Sequence, residues 1–358
     1  MNQKIQFVIA SIIVLSLFSF GIEIEVIKDP KPTCFEKNVQ YELLNKYKEI
    51  SNEDSESENF IAFARSVTAD NNGNIFLFDG VLGEIFKYDK NLVFKKRFGG
   101  KGKGPGEFAT SRGSTGVRLN ISGKNRLYAQ DYRNKRISVF SLNGDYITDY
   151  KIRYKHSFNP VQDIEGNLYI PSENGGVIDI FNSKMELTGV LLDVTEFRKF
   201  LFFEPRPLIK ASKSFPHSGN LNYYLLKDNA LLVYIMNSST VYLLENRELK
   251  KKFNVWPERI LSVHKRELYK FLQEDDGNVS LLFAFNFFID GDDNNFFYMQ
   301  FIEDKAKKII PLYKFDLNGR LKKILYIKRP DGHWVTIFHC KKNSIFYGTR
   351  YGRLVLYK

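Results

Sequence analysis

Cysteine is nearly missing: Cys34 and Cys340 are the two in 358 residues, too few for a disulfide framework or a cysteine-built zinc site. The five histidines, His156, His217, His264, His333 and His339, show no H-x-H or H-E-x-x-H spacing, which removes the usual metal-ligand patterns. Asp290, Asp292 and Asp293 lie close together but lack the Gly and Glu that would complete a calcium loop, so they read as a hairpin turn. No G-x-S-x-G nucleophile setting occurs. Phe98 to Phe108, FGGKGKGPGEF, is rich in glycine, yet Pro105-Gly106-Glu107 blocks the helix whose N-terminus would hold a phosphate. No catalytic residue, metal or cofactor is therefore assigned. Long apolar runs are absent too, apart from Phe7 to Ile22, whose roughly sixteen residues fall short of the ~20 that span a bilayer.

What the chain has in quantity is aromatic residues, 32 Phe and 20 Tyr, within 43% apolar residues. With Ile, Val and Leu they favour strands over helices. At the N-terminus Lys4 precedes the apolar run, and Ser19-Phe20-Gly21 fits a small-x-small cleavage site, so residues 1–21 read as a secretory signal peptide. Export to the periplasm or beyond is expected, without stable membrane insertion after cleavage. No cysteine follows the run closely enough for a lipoprotein anchor. The net charge of +12 fits an anionic partner. A coding bias toward Lys, Asn, Ile, Phe and Tyr would produce the same excess. Nucleic acid is not expected as a partner, because it sits badly with the export signal.

Residues 22–59 are polar and weakly patterned, and repeats fill 60–358. An apolar pair after an Asx/Gly turn is followed ten residues later by another apolar residue: Ile75 by Ile85, Leu127 by Ile137, Leu168 by Ile178, Leu231 by Val241. Phe296-Phe297 and Ile345-Phe346 anchor two more units, and the anchors lie 41 to 65 residues apart. Asp, Asn and Gly punctuate each unit and mark hairpins. Each unit is then a four-stranded antiparallel meander, which buries both faces only by stacking radially. The expected fold is all-β, a six-bladed β-propeller of four-stranded antiparallel blades. The last unit runs out of chain before its outer strand, so an N-terminal strand, Val39 to Leu43 or Ile24 to Ile27, is expected to close it. That places Cys34 near an outermost strand and Cys340 at the end of an innermost one, so the two are not expected to pair. One short helical insert is expected at Trp256 to Gln273, where Pro257 suits the first turn and Ile260, Leu261, His264, Leu268, Phe271 and Leu272 share a face.

Asp131-Tyr132-Arg133-Asn134-Lys135-Arg136-Ile137, followed by Phe140-Ser141-Leu142-Asn143-Gly144, resembles the repeat of bacterial exported six-bladed propellers with NHL-type repeats. Gly102-Lys103-Gly104-Pro105-Gly106-Glu107-Phe108 is similar to a crossing common in exported members. The likeness covers residues 60 to about 185 and supports the fold far more than a reaction. Arg136 is expected to brace its own blade, and Glu107 to bind backbone amides.

In such a meander the first and third turns share one face, while the second turns and the interblade crossings share the other. The long segments 98–114, 151–158, 194–220 and 328–333 fall on the second face, and long loops carry function disproportionately. That face is basic. The expected activity is non-catalytic binding of an anionic small molecule, glycan or protein there, by a monomer, with Arg206, His217, Arg329, His333, Trp334 and Arg350 as contacts. The alternative is a metal-dependent lactonase or lyase at the central channel, for which Asp290, Asn286 and His339 are the acids, amides and imidazoles available.

Overall fold

The computed structural model describes residues 25–27, 40–44, 46–50, 60–110, 117–122, 124–153, 159–171, 176–193, 221–226, 230–235, 240–255, 284–289, 296–301, 309–328, 336–341, 345–350 and 353–357. Three short strands come first: β1 (Glu25–Ile27), β2 (Gln40–Leu44) and β3 (Lys46–Ile50). The first meander is β4 (Ala64–Ala69), β5 (Ile75–Asp79), β6 (Glu84–Tyr88) and β7 (Phe94–Gly99). The second is β8 (Val117–Ser122), β9 (Arg126–Asp131), β10 (Arg136–Phe140) and β11 (Tyr146–Lys151). The third is β12 (Val161–Gln162), β13 (Leu168–Pro171), β14 (Gly176–Phe181) and β15 (Leu187–Asp193). Then follow β16 (Leu221–Leu225), β17 (Leu231–Ile235), β18 (Thr240–Glu245) and β19 (Glu248–Asn254). The fifth set is β20 (Ala284–Ile289), β21 (Phe296–Phe301), β22 (Ile309–Asp316) and β23 (Leu321–Lys328), and the chain ends with β24 (Thr336–Lys341), β25 (Ile345–Arg350) and β26 (Arg353–Tyr357).

Each meander is an antiparallel sheet in chain order. The first strands of successive sheets lie against one another, β4 on β8, β8 on β12, β12 on β16, β16 on β20, β20 on β24, and β24 returns to β4. The chain is an all-β propeller of four-stranded antiparallel blades.

Side-chain alternation explains the stacking. Successive strand residues point to opposite faces, and here both faces are covered. Ile75 and Leu77 of β5 pack with Leu354 and Leu356 of β26 on one side. Phe76 and Phe78 pack with Val117, Leu119, Leu127 and Ala129 on the other. The core therefore lies between sheets rather than within one.

The hairpin turns at one end of the sheets repeat a single design. Asp70 accepts hydrogen bonds from the amides of Asn72 and Asn74 at 2.9 and 2.8 Å. Asp89, Ser141, Asn182 and Asp316 do the same for the residues two and four positions on. A short polar side chain thus takes up amides that a reversing backbone leaves unpaired.

Closure differs in detail from the sequence-based expectation. Neither proposed strand completes the last sheet. Instead β3 pairs antiparallel with β26, Glu49 opposite Val355 and Lys48 opposite Leu356. The reason is topological: the link from β3 to β4 is then the ordinary step from the outer strand of one sheet to the inner strand of the next. The other two strands become fifth, parallel strands elsewhere. β1 runs beside β19 with Glu25 opposite Lys251, and β2 runs beside β23 with Gln40 opposite Lys323. Glu42 of β2 forms an ion pair with Lys323.

The helical insert at 256–273, the signal segment 1–21, and Cys34 lie outside the described residues. Among the described residues there is no helix, and so none long and apolar enough to cross a membrane.

Candidate binding face

Five glycines and a proline in eleven positions cannot sustain an interior strand, so Phe98 to Phe108 folds into a compact loop that carries the chain from β7 to β8. Gly100 donates to the Gly83 carbonyl at 2.9 Å, and Phe108 donates back to Gly100 at 2.7 Å. Phe108 is fully buried and meets Phe78 edge to face at 5.2 Å between ring centroids. Glu107 folds over the loop, its Oε2 accepting from the Gly104 amide at 2.7 Å. The carboxylate leaves no room beside Gly102, which has φ +154°, and where a Cβ would lie 1.9 Å from Oε2. Gly102→Ala is expected to lower unfolding free energy by about 2 kcal/mol, as overpacking does. Urea unfolding that showed no change would contradict this packing.

The motif on β9 and β10 holds this loop in place. Asp131 is fully buried at the end of β9, where it accepts from the amides of Ala109, Arg133 and Asn134 at 2.8, 3.1 and 3.2 Å. Asn134 donates to the Gly102 carbonyl at 2.9 Å and to Asp131 at 2.9 Å. The Arg136 guanidinium donates to three loop carbonyls, those of Lys103, Gly104 and Glu107, at 3.0, 2.5 and 2.6 Å. Bracing of its own blade was expected of Arg136. The structure gives it only a 3.6 Å contact with Asp149 there, and its main grip is on the crossing. The reason is geometric: β10 starts at the end where the crossing passes. In the first sheet Asp79 plays the part of Asp131, accepting from Phe63, Val81 and Leu82 at 2.7 to 2.8 Å.

Burial raises the Asp131 carboxyl above its ordinary range, with the three amides and the Arg136 charge pulling it back. A carboxyl raised in the folded state holds its proton more tightly than in the unfolded chain, whose value is about 3.9. Its contribution to stability is fully present below that pH and is lost as pH rises through the folded value. The free-energy difference between the wild type and Asp131→Asn should therefore shrink as pH rises from about 4. Urea titrations at several pH values that gave a constant difference would refute the assignment.

The charge balance of this end follows from those hydrogen bonds. Asp79, Asp131 and Glu107 are turned inward onto amides. Lys101, Lys103, Arg133, Lys135 and Arg153 are exposed. At the opposite end two turn acids pair with bases, Asp89 with Lys95 at 2.9 Å and Asp316 with Lys322 at 3.0 Å, while Lys90, Lys124 and Lys184 are exposed.

Of the residues singled out from sequence, Arg206, His217, Arg329, His333 and Trp334 lie outside the described residues. Arg350 ends β25 opposite Arg353, the first residue of β26, at this same end. For the channel alternative, Asn286 lies on β20 and His339 on β24, both first strands, while Asp290 lies outside the described residues. Among the described residues no group of three His, Cys, Asp or Glu could hold a metal ion. Sequence reading missed Asp79, which could have been found as the acid ending an apolar run before Gly80.

No protein-family model matches the chain, and no curated protein matches it. Solved structures do. A protein of Bacteroides fragilis presumed to be exported aligns at 11% identity and TM-score 0.54, covering 89% of this chain and 98% of that one. A member of the DUF4221 family from Bacteroides vulgatus aligns at 11% identity and TM-score 0.52, covering 88% and 97%. At these identities the likeness shows the fold alone.

Proposed function

We propose that this is an exported, non-catalytic propeller of six blades that binds an anionic ligand, glycan or protein on the end formed by its interblade crossings. The blade count is supported by the six sheets and the return of β24 to β4, and the kinship with NHL-type propellers by the grip of Asp131, Asn134 and Arg136 on the crossing. Export rests on the N-terminal signal pattern and delivers the protein to the periplasm or the cell exterior.

One observation carries the binding assignment. At the crossing end Asp79, Asp131 and Glu107 are spent on backbone amides and Glu84 pairs with Arg97, while five Lys and Arg residues stay exposed. A one-sign surface attracts counter-charged partners and speeds their encounter. Arg206, Arg329 and Arg350 extend the same surface in this reading, with His217, His333 and Trp334 supplying polar and aromatic contacts.

The test uses heparin and poly-glutamate as probes at low and physiological salt. The triple reversals Lys101→Glu/Lys103→Glu/Arg153→Glu and Arg206→Glu/Arg329→Glu/Arg350→Glu should each weaken binding at least tenfold, and added salt should weaken the wild type. Binding unchanged in both variants, or no binding by the wild type at low salt, would sink the proposal.

A further inference from the structure

The outer strand of each sheet carries a bulge at the same place, where one extra residue interrupts its pairing with the third strand. The bulge aligns the outer strands residue by residue. The extra residue and the two after it are Lys95-Lys96-Arg97 in β7, Ile147-Thr148-Asp149 in β11, Lys250-Lys251-Lys252 in β19, Lys322-Lys323-Ile324 in β23 and Tyr47-Lys48-Glu49 in β3. In β15 they are Thr188-Gly189-Val190, with no charge.

Charge on an edge strand turns away a further strand unless the newcomer brings the opposite sign. β19 and β23 show that second case, since β1 sets Glu25 opposite Lys251 and Glu42 of β2 pairs with Lys323. β15 has neither protection. It ends its sheet, and among the described residues no strand pairs with its outer edge. Leu187 and Val190 are 47% and 44% exposed. They stand opposite Phe181 and Asp179, which are two residues apart on β14, so the bulge brings both aliphatic side chains to one face.

We propose that two copies of the chain pair through β15, antiparallel across a two-fold axis, in place of the monomer expected from sequence. Their third sheets then join into one. Charge selects this occupant: the strands added to β19 and β23 bring acids to lysines, whereas a neutral edge offers a foreign strand no charge to meet. Two copies of β15 face each other without like charges opposed, which β7 with its three cations cannot do. A two-fold axis sets identical edges antiparallel and lets each strand cover the other's Leu187 and Val190. The net charge of +12 opposes the approach of two copies, so salt should tighten the pair by screening. The interface lies on the rim of the ring, and it can fail without the crossing end failing.

Sedimentation equilibrium of the exported protein decides it. The wild type should dimerise with a dissociation constant on the order of 10 μM, as a small interface allows, and several-fold more tightly at high salt than at low. Val190→Lys gives β15 the charge that other edges carry and should weaken the dimer at least tenfold. Ile147→Lys, at a residue of β11 that is 40% exposed, should leave it unchanged. In the wild type, amide exchange along Leu187 to Leu191 should slow as concentration rises, while exchange along β7 and β11 stays constant. A wild type monomeric at about 500 μM, a dimer that Val190→Lys leaves intact, or one that salt dissolves would overturn the proposal. Slow exchange along β15 in a monomer would show that the chain covers its own edge, and would overturn it too.

Discussion

Removing residues 1–51 should abolish cooperative folding or lower unfolding free energy by on the order of 5 kcal/mol, whereas removing residues 1–38 should cost about 1 kcal/mol or less. The difference lies in β2, a fifth strand beside β23, and chiefly in β3. The latter covers the outer edge of β26, whose Leu354, Val355, Leu356 and Tyr357 are 0 to 3% exposed. A fully buried side chain of this kind is worth about 1.5–3 kcal/mol, so uncovering one flank of four sums to the larger figure. Loss of β3 also leaves a row of unpaired amides and carbonyls at the point where the last sheet meets the first. The shorter deletion removes only β1, a three-residue addition to the already complete β19 edge. Urea unfolding of the two truncations checks this. Equal, small losses would mean that the ring does not depend on its N-terminal latch.

Arg136→Met should be the most damaging single substitution at the crossing, with an expected loss of about 3–5 kcal/mol. The guanidinium is nearly buried and donates to three carbonyls of one loop. Methionine fills much of the volume and supplies no donors, so those carbonyls and Asp149 lose their partner together. A buried acceptor without its donor costs about 1–3 kcal/mol. Arg136→Lys keeps the charge but cannot span three acceptors, and should recover less than half the loss. Thermal and urea unfolding measure both, and hydrogen exchange at Gly102, Gly104 and Phe108 should quicken in Arg136→Met before the sheets do. A loss below 1 kcal/mol would show that the crossing holds itself.

Much of this architecture is legible from residue types alone. The Asp, Asn and Gly clusters mark the turns because their side chains or backbones relieve unpaired amides, as Asp70 and Asp316 do. The unbroken apolar run Ile75 to Phe78 signals a strand with two buried faces. The choice of closing strand is not legible in the same way. VQYELL and KYKEI both alternate, and only the path from β3 into β4 selects the second. The role of Arg136 is hidden for a related reason. Its partners lie about 30 residues away in the chain, and local spacing carries no trace of them.

The central claim is that anions are drawn to the crossing end of the ring. Lysine acetylation mapped by mass spectrometry, with and without bound heparin, tests it on the unaltered protein. Lys101, Lys103 and Lys135 should be protected at least several-fold, while Lys90, Lys124 and Lys184 at the opposite end should react as before. Uniform protection, or protection confined to Lys90, Lys124 and Lys184, would contradict the assignment.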